Sequence, residues 1–155
     1  MWPLFREGDA VLVVPGDITV RRGDVVVCRR WGRLVAHRVL RVDRSDLGTA
    51  VITKGDNTGY SDPPWGILEM VGRVRAFRRG SQFISLETLG WRTIGWLIAT
   101  VTLVWIRLDR SSQAVKRRLL GSRPNCFTVV LRRSALACST LVLHGVDVLF
   151  CRWKP

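Results

Sequence analysis

Leu34-Val35-Ala36-His37-Arg38-Val39-Leu40-Arg41-Val42 is the stretch whose reading decides the fold. Val35, His37 and Val39 fall on one side and Ala36 and Arg38 on the other, the alternation of a half-buried β-strand. The flanking chain has the same character. Ala10–Val14, Asp24–Arg29, Thr49–Thr53 and Leu68–Phe77 are short runs rich in Val, Ile and Leu, as strands are. Gly-Asp recurs at 8–9, 16–17, 23–24 and 55–56. Glycine admits positive φ and aspartate bonds back to nearby backbone, so these dipeptides predict turns. The expectation is a mainly β protein whose short strands close into a compact barrel over residues 1–84.

The pattern changes near Ser85. Ile94–Ile106 is an uncharged apolar run, with Trp91 and Arg92 before it and Arg107 and Arg110 after it. A bilayer-spanning helix needs roughly 20 apolar residues. Counting back to Leu89 approaches that length but takes in Arg92, which can snorkel from one end. Trp91, Trp96 and Trp105 lie near the ends, as in an interfacial aromatic belt. Ser111–Arg123 is basic, and Phe127–Phe150 is a second apolar stretch broken by Arg132, Arg133, His144 and Asp147. Two readings stand for residues 85–155, a basic and apolar helical region. One is membrane association through residues 89–110; the other is a buried helical hairpin.

Charge follows the same division. The 155-residue chain carries +13, of which residues 1–87 hold +4 and residues 88–155 hold +9. Anionic lipid and nucleic acid both attract such a segment. Arginine outnumbers lysine 22 to 3, which a GC-rich coding sequence also produces. That bias does not explain why acids thin out after residue 88. An apolar fraction of 47% excludes a disordered chain. Cys28, Cys126, Cys138 and Cys151 form no C-x-x-C pair, so neither a disulfide framework nor a zinc site is expected. Cys28 reads as a buried thiol. No metal or organic cofactor is implied.

The chemistry centres on His37. A serine hydroxyl is a poor nucleophile until a base accepts its proton. Imidazole suits that role at neutral pH, and a carboxylate on its other nitrogen fixes the tautomer. His37 and the acids of the Lys54–Asp62 loop supply two parts of such a triad. The series Met1-x-Pro3 with Gly8-Asp9, Gly23-Asp24-Val25-Val26, His37-Arg38-Val39, Lys54-Gly55-Asp56-Asn57 and Asp62 resembles the signal peptidase I family of membrane serine proteases. The match is to the Ser-His-Asp form typical of archaea and the endoplasmic reticulum. It covers roughly residues 1–77.

The resemblance implies a fold like that of signal peptidases and LexA-type repressors. It gives His37 as the general base and two candidates, Asp62 and Asp56, for the acid that orients it; Asp62 is favoured, with Asp56 then an organiser of the loop and active site. Met1 and Pro3 would stand beside the substrate. The family's Asn-Asn is Asn57-Thr58 here. Lys54 is expected to be a loop residue with a solvated ammonium. Ser45, Ser61, Ser81 and Ser85 carry no nucleophile motif. The family's serine would fall one position before Met1, so residues 1–155 alone are expected to lack peptidase activity.

Three readings follow. The chain is a serine endopeptidase for a precursor or leader peptide that begins at an internal methionine; or it is an inactive paralogue that holds an extended peptide along a strand edge; or it is a basic barrel for nucleic acid, hinted at by Trp31 among arginines. The first is favoured. It implies a membrane-associated or cytoplasmic protein of prokaryotic-like type, with no signal sequence in this reading frame.

Overall fold

The computed structural model describes residues 4–17, 19–30, 32–46 and 48–120, with Gly145 beyond them. Seven strands form one antiparallel sheet: β1 (Ala10–Pro15), β2 (Val25–Arg30), β3 (Arg33–Ser45), β4 (Gly48–Lys54), β5 (Trp65–Gly66), β6 (Met70–Arg79) and β7 (Gln82–Ser85). A 3-10 turn, Ile67–Glu69, joins β5 to β6, and a single long helix, α1 (Leu89–Leu120), follows the sheet. The mainly β expectation holds, and each anticipated strand is present within a few residues of its expected bounds.

Closure is the correction. The strand order is β1-β6-β2-β3-β4-β5, with β7 also on β6. Among the described residues β1 and β5 end the sheet without pairing each other, so it is open rather than a closed barrel. The ten-residue β6 makes this possible: it pairs with β1 over most of its length, and with β2 near its start and β7 near its end. β7 was not anticipated, because Gln82–Ser85 is only four residues long. Its register comes from a hairpin that pairs Arg79 with Gln82 around Gly80, whose φ of +57° suits a two-residue loop.

Strand β2 is buried on both faces, and its alternation divides the core. Val25 and Val27 join Leu4, Val74 and Phe77 on one side. Val26 and Cys28 join Val20, Val39, Val51 and Trp65 on the other. Phe5 packs edge-on against Phe77, ring centroids 5.3 Å apart. Each such side chain taken wholly out of water contributes roughly 1.5–3 kcal/mol. Cys28 is a buried free thiol, as expected. Burial, then the charges of Asp62 and Glu69, pushes that thiol up to about 11.

Thr88 starts α1, its Oγ1 accepting from the Trp91 amide in the manner of an N-cap. The helix then runs 32 residues, about 48 Å, and absorbs most of the basic segment expected at Ser111–Arg123. Leu89–Ala114 is long and apolar enough, by length and composition, to cross a membrane. The stretch Phe127–Phe150 apart from Gly145, with Cys126, Cys138, His144 and Cys151, lies outside the described residues. So do Met1, Pro3 and Trp31.

Helix and sheet meet at two glycines. A Cβ on Gly23 would lie 2.4 Å from the Trp96 amide nitrogen, and one on Gly95 would lie 2.7 Å from the Gly23 carbonyl oxygen. Gly23 also takes φ +94°, which side chains with a Cβ avoid. The turn before β2 therefore requires glycine twice over, for its own conformation and for the approach of α1.

Candidate active site

Strand β3 presents His37 and Arg38 to opposite faces, and each side chain takes one acid from the chain that follows β4. His37 Nδ1 is hydrogen-bonded to Asp62 Oδ2, across 25 residues of sequence. The same oxygen accepts from Thr53 Oγ1 at 2.7 Å, and Thr53 Oγ1 accepts from Trp65 Nε1 at 2.7 Å. The Asp62 amide donates to the Thr53 carbonyl at 2.8 Å, which fixes the carboxylate against the end of β4. Thr53 is wholly buried and Asp62 nearly so.

For a neutral ring beside an ionised carboxylate, this network implies one tautomer. An ionised carboxylate only accepts hydrogen bonds, so the bond to Asp62 places the His37 proton on Nδ1. Nε2 then carries the lone pair. The His37 side chain is 17% exposed, so the ring keeps access to solvent. Gly55 lies beside it: a Cβ there would come within 3.2 Å of Nε2. This Gly-Asp pair therefore does more than make a turn, because the absent side chain leaves room for the imidazole. Arg30 Nη1 stands 3.8 Å from Asp62 Oδ1, and its guanidinium lies over the Trp65 ring at 5.2 Å.

Asp56 goes elsewhere. Arg38 grips it with two bonds, Nε to Oδ1 at 3.0 Å and Nη2 to Oδ2 at 2.9 Å, and donates its Nη1 to the Gly23 carbonyl at 3.0 Å. Both side chains are almost fully buried. A paired and fully bonded burial of this kind is tolerable, whereas either ion alone is costly. Asp56 thereby ties the loop after β4 to β3 and to the turn on which α1 rests. The two candidate acids are thus separated by contact: Asp62 touches His37, and Asp56 touches Arg38.

Lys54 departs from its expected place. It ends β4 rather than lying in a loop, and it is buried, with Nζ donating to the Gly55 carbonyl at 3.0 Å. Burial lowers its ammonium below the usual lysine value, offset in part by the charge of Asp56. Thr58, which replaces the second asparagine of the family pattern, closes the loop by donating from Oγ1 to the Gly55 carbonyl at 2.9 Å. Among the described residues no cluster of His, Cys, Asp or Glu has the arrangement of a metal site.

Sequence reasoning missed three residues of this neighbourhood. Thr53 read only as the end of a strand, Trp65 as nothing in particular, and Arg38 as one member of a motif. The available signal for Arg38 was its side of the strand: it shares a face with Ala36, which packs on the apolar cluster around Phe77. An arginine directed there needs a buried acid. On that same side Leu4 is buried, whereas His37 points from the other face of β3.

The chain is similar to the signal peptidase complex catalytic subunit SEC11 of Yarrowia lipolytica, 29% identical over 111 residues, covering 58% of this chain and 64% of that protein. It is also similar to the subunit of the same name from Scheffersomyces stipitis, 36% identical over 64 residues, covering 40% and 39% respectively. The chain thus spans less than two thirds of the length of these curated relatives. No family profile and no solved structure matches it. The homologues of the chain are catalytic subunits of signal peptidase complexes, a signal peptidase I-like family, which supports the family resemblance of the sequence.

Proposed function

We propose that the chain carries the acid-base half of a signal-peptidase-type serine endopeptidase that cuts a precursor or leader peptide. One observation carries this reading: His37 Nδ1 is bonded to Asp62, which Thr53 and in turn Trp65 hold in place, an arrangement that supports Nε2 as the basic nitrogen. In this reading a serine hydroxyl gives its proton to His37 Nε2 as it attacks the scissile carbonyl. The imidazolium so formed is stabilised by the Asp62 carboxylate and then protonates the leaving amine. Asp62 is the orienting acid. Asp56 holds the loop through Arg38 and does not touch the base.

The serine is the residue that the family pattern puts one position before Met1, with Met1 and Pro3 beside the substrate. Leu4 is buried with Val25 and Phe77, on the face of β3 opposite His37. Four extended residues reach about 13 Å, so this reading requires the chain before Leu4 to bring the hydroxyl round to Nε2 within that distance. Residues 1–84 form the catalytic-type domain, and residues 85–155 hold it at a membrane through α1. The relatives from Yarrowia lipolytica and Scheffersomyces stipitis lend no support to a prokaryotic-like placement.

The test is cleavage of leader-peptide substrates in detergent by three forms: the chain itself, the chain with serine placed before Met1, and that form with His37→Ala. Activity is expected only in the second. A folded but inert second form removes the enzyme reading in favour of a peptide-binding paralogue. Serine-dependent cleavage by the unextended chain places the nucleophile elsewhere.

A further inference from the structure

The sides of α1 are divided among three chemistries. At 3.6 residues per turn, Trp91, Gly95, Ile98 and Ala99 fall in one sector, and it faces the sheet: Gly95 and Ala99 are buried, and Ile98 lines a cleft shared with Asp24, Arg38 and Arg73. A second sector carries Leu97, Val101, Val104, Trp105 and Leu108, all exposed. The third carries the exposed Arg92, Arg107 and Arg110, with Trp96 among them.

A helix that crossed the bilayer from Leu89 would draw its sheet-facing sector into hydrocarbon. The Gly23–Gly95 contact would take the half-buried Asp24 and Arg73 with it, and ionised groups are excluded from that region unless buried in protein or water-filled space. The part of α1 beyond the sheet is too short to cross by itself. After Ala99 only the seven residues Thr100–Ile106 precede Arg107, Asp109 and Arg110, about 10 Å against roughly 30 Å of hydrocarbon.

We propose that α1 lies in the plane of an anionic membrane surface. The sector of Leu97, Val101, Val104, Trp105 and Leu108 enters the acyl boundary, and Arg92, Arg107 and Arg110 meet acidic headgroups. An apolar sector flanked by arginines and tryptophan is the composition of an interfacial helix, and the excess of +9 over residues 88–155 suits acidic lipid. This deepens the membrane part of the proposed function and rests on it. It would hold the His37–Asp62 pair at a fixed height over the surface from which a leader peptide emerges.

Spin labels at Leu97→Cys and Leu108→Cys test the orientation, with Cys126, Cys138 and Cys151 replaced by serine and the full chain bound to vesicles containing phosphatidylglycerol. The two positions lie eleven residues apart, about 16 Å along the axis. Immersion depths equal within about 4 Å are expected, together with at least about tenfold weaker binding to neutral vesicles. Depths differing by more than about 10 Å mean a spanning helix and overturn the proposal. Labels shielded from both lipid and water mean that the chain covers its own helix, which overturns it equally. Circular dichroism confirms that each labelled chain is folded. Peptidase activity of the serine-extended chain is read separately, so loss of the orientation claim leaves the enzyme reading intact.

Discussion

The sheet and the helix invert each other. In the sheet the informative residues are polar groups that are buried, namely Arg38, Thr53, Asp56 and Asp62. In α1 they are apolar groups that are exposed, among them Leu97, Val101 and Leu108. Neither arrangement is what a chain selected only for stability would adopt. A buried polar group costs free energy unless its bonds are made, and an exposed apolar face calls for a covering surface. The sheet meets its cost internally through closed hydrogen-bond networks. The helix leaves its own to something outside the described residues. The first condition gives fixed geometry, suited to chemistry; the second gives an interface.

Breaking the sheet side has the largest expected effects. In the serine-extended chain Asp62→Asn frees the imidazole to take the wrong tautomer and should lower the cleavage rate by about three to four orders of magnitude. Asp56→Asn should act mainly on stability, with the rate of the folded fraction changed less than about tenfold. Steady-state kinetics on both variants checks the division of roles, and the opposite ranking would reassign the acids. Arg38→Ala leaves Asp56 buried without its ion partner and should cost about 3–5 kcal/mol in denaturant unfolding. Pairing Arg38→Met with Asp56→Leu should recover most of that loss.

The boundary between the two regions is sharpened by Gly23→Ala. The new methyl meets the backbone of α1 at 2.4 Å in a conformation that already disfavours it. Destabilisation of at least about 1 kcal/mol is expected, with faster proteolysis between Ser85 and Leu89 while the hydrogen exchange of β3 and β4 stays slow.

The smallest effect concerns acid stability. The Thr19 hydroxyl, followed by Arg75 and Arg73, holds the Asp17 carboxyl well below the usual carboxylate range. A lowered folded-state value stabilises the fold above the unfolded pKa, about 3.9, and that contribution fades as pH falls through and below it. Unfolding free energy should therefore drop between about pH 5 and pH 2, and Asp17→Asn should flatten that slope.

Local pattern made the strands legible, because alternation along Leu34–Val42 is written in adjacent residues. The contact of His37 with Asp62 was also within reach, since a family pattern supplies a pairing that local periodicity does not. Sheet closure was not legible. It depends on whether β1 and β5 meet, and no short stretch encodes that. The Arg38–Asp56 pair was missed for a related reason: an arginine on a strand reads as solvated until the opposite face is known to be packed. The Gly23–Gly95 contact was hidden further still, because Gly23 already had a sufficient explanation as a turn. Lys54 was misplaced because Gly55 drew the loop boundary one residue too early.

The chemistry proposed for the site depends most on the Nδ1 proton of His37. Nitrogen-15 NMR of the imidazoles, with His144→Gln to assign the two rings, reads the tautomer directly and needs no nucleophile. The prediction is a proton on Nδ1 and a lone pair on Nε2 near neutral pH, lost or redistributed in Asp62→Asn. A proton resident on Nε2, or a spectrum indifferent to Asp62→Asn, would contradict it.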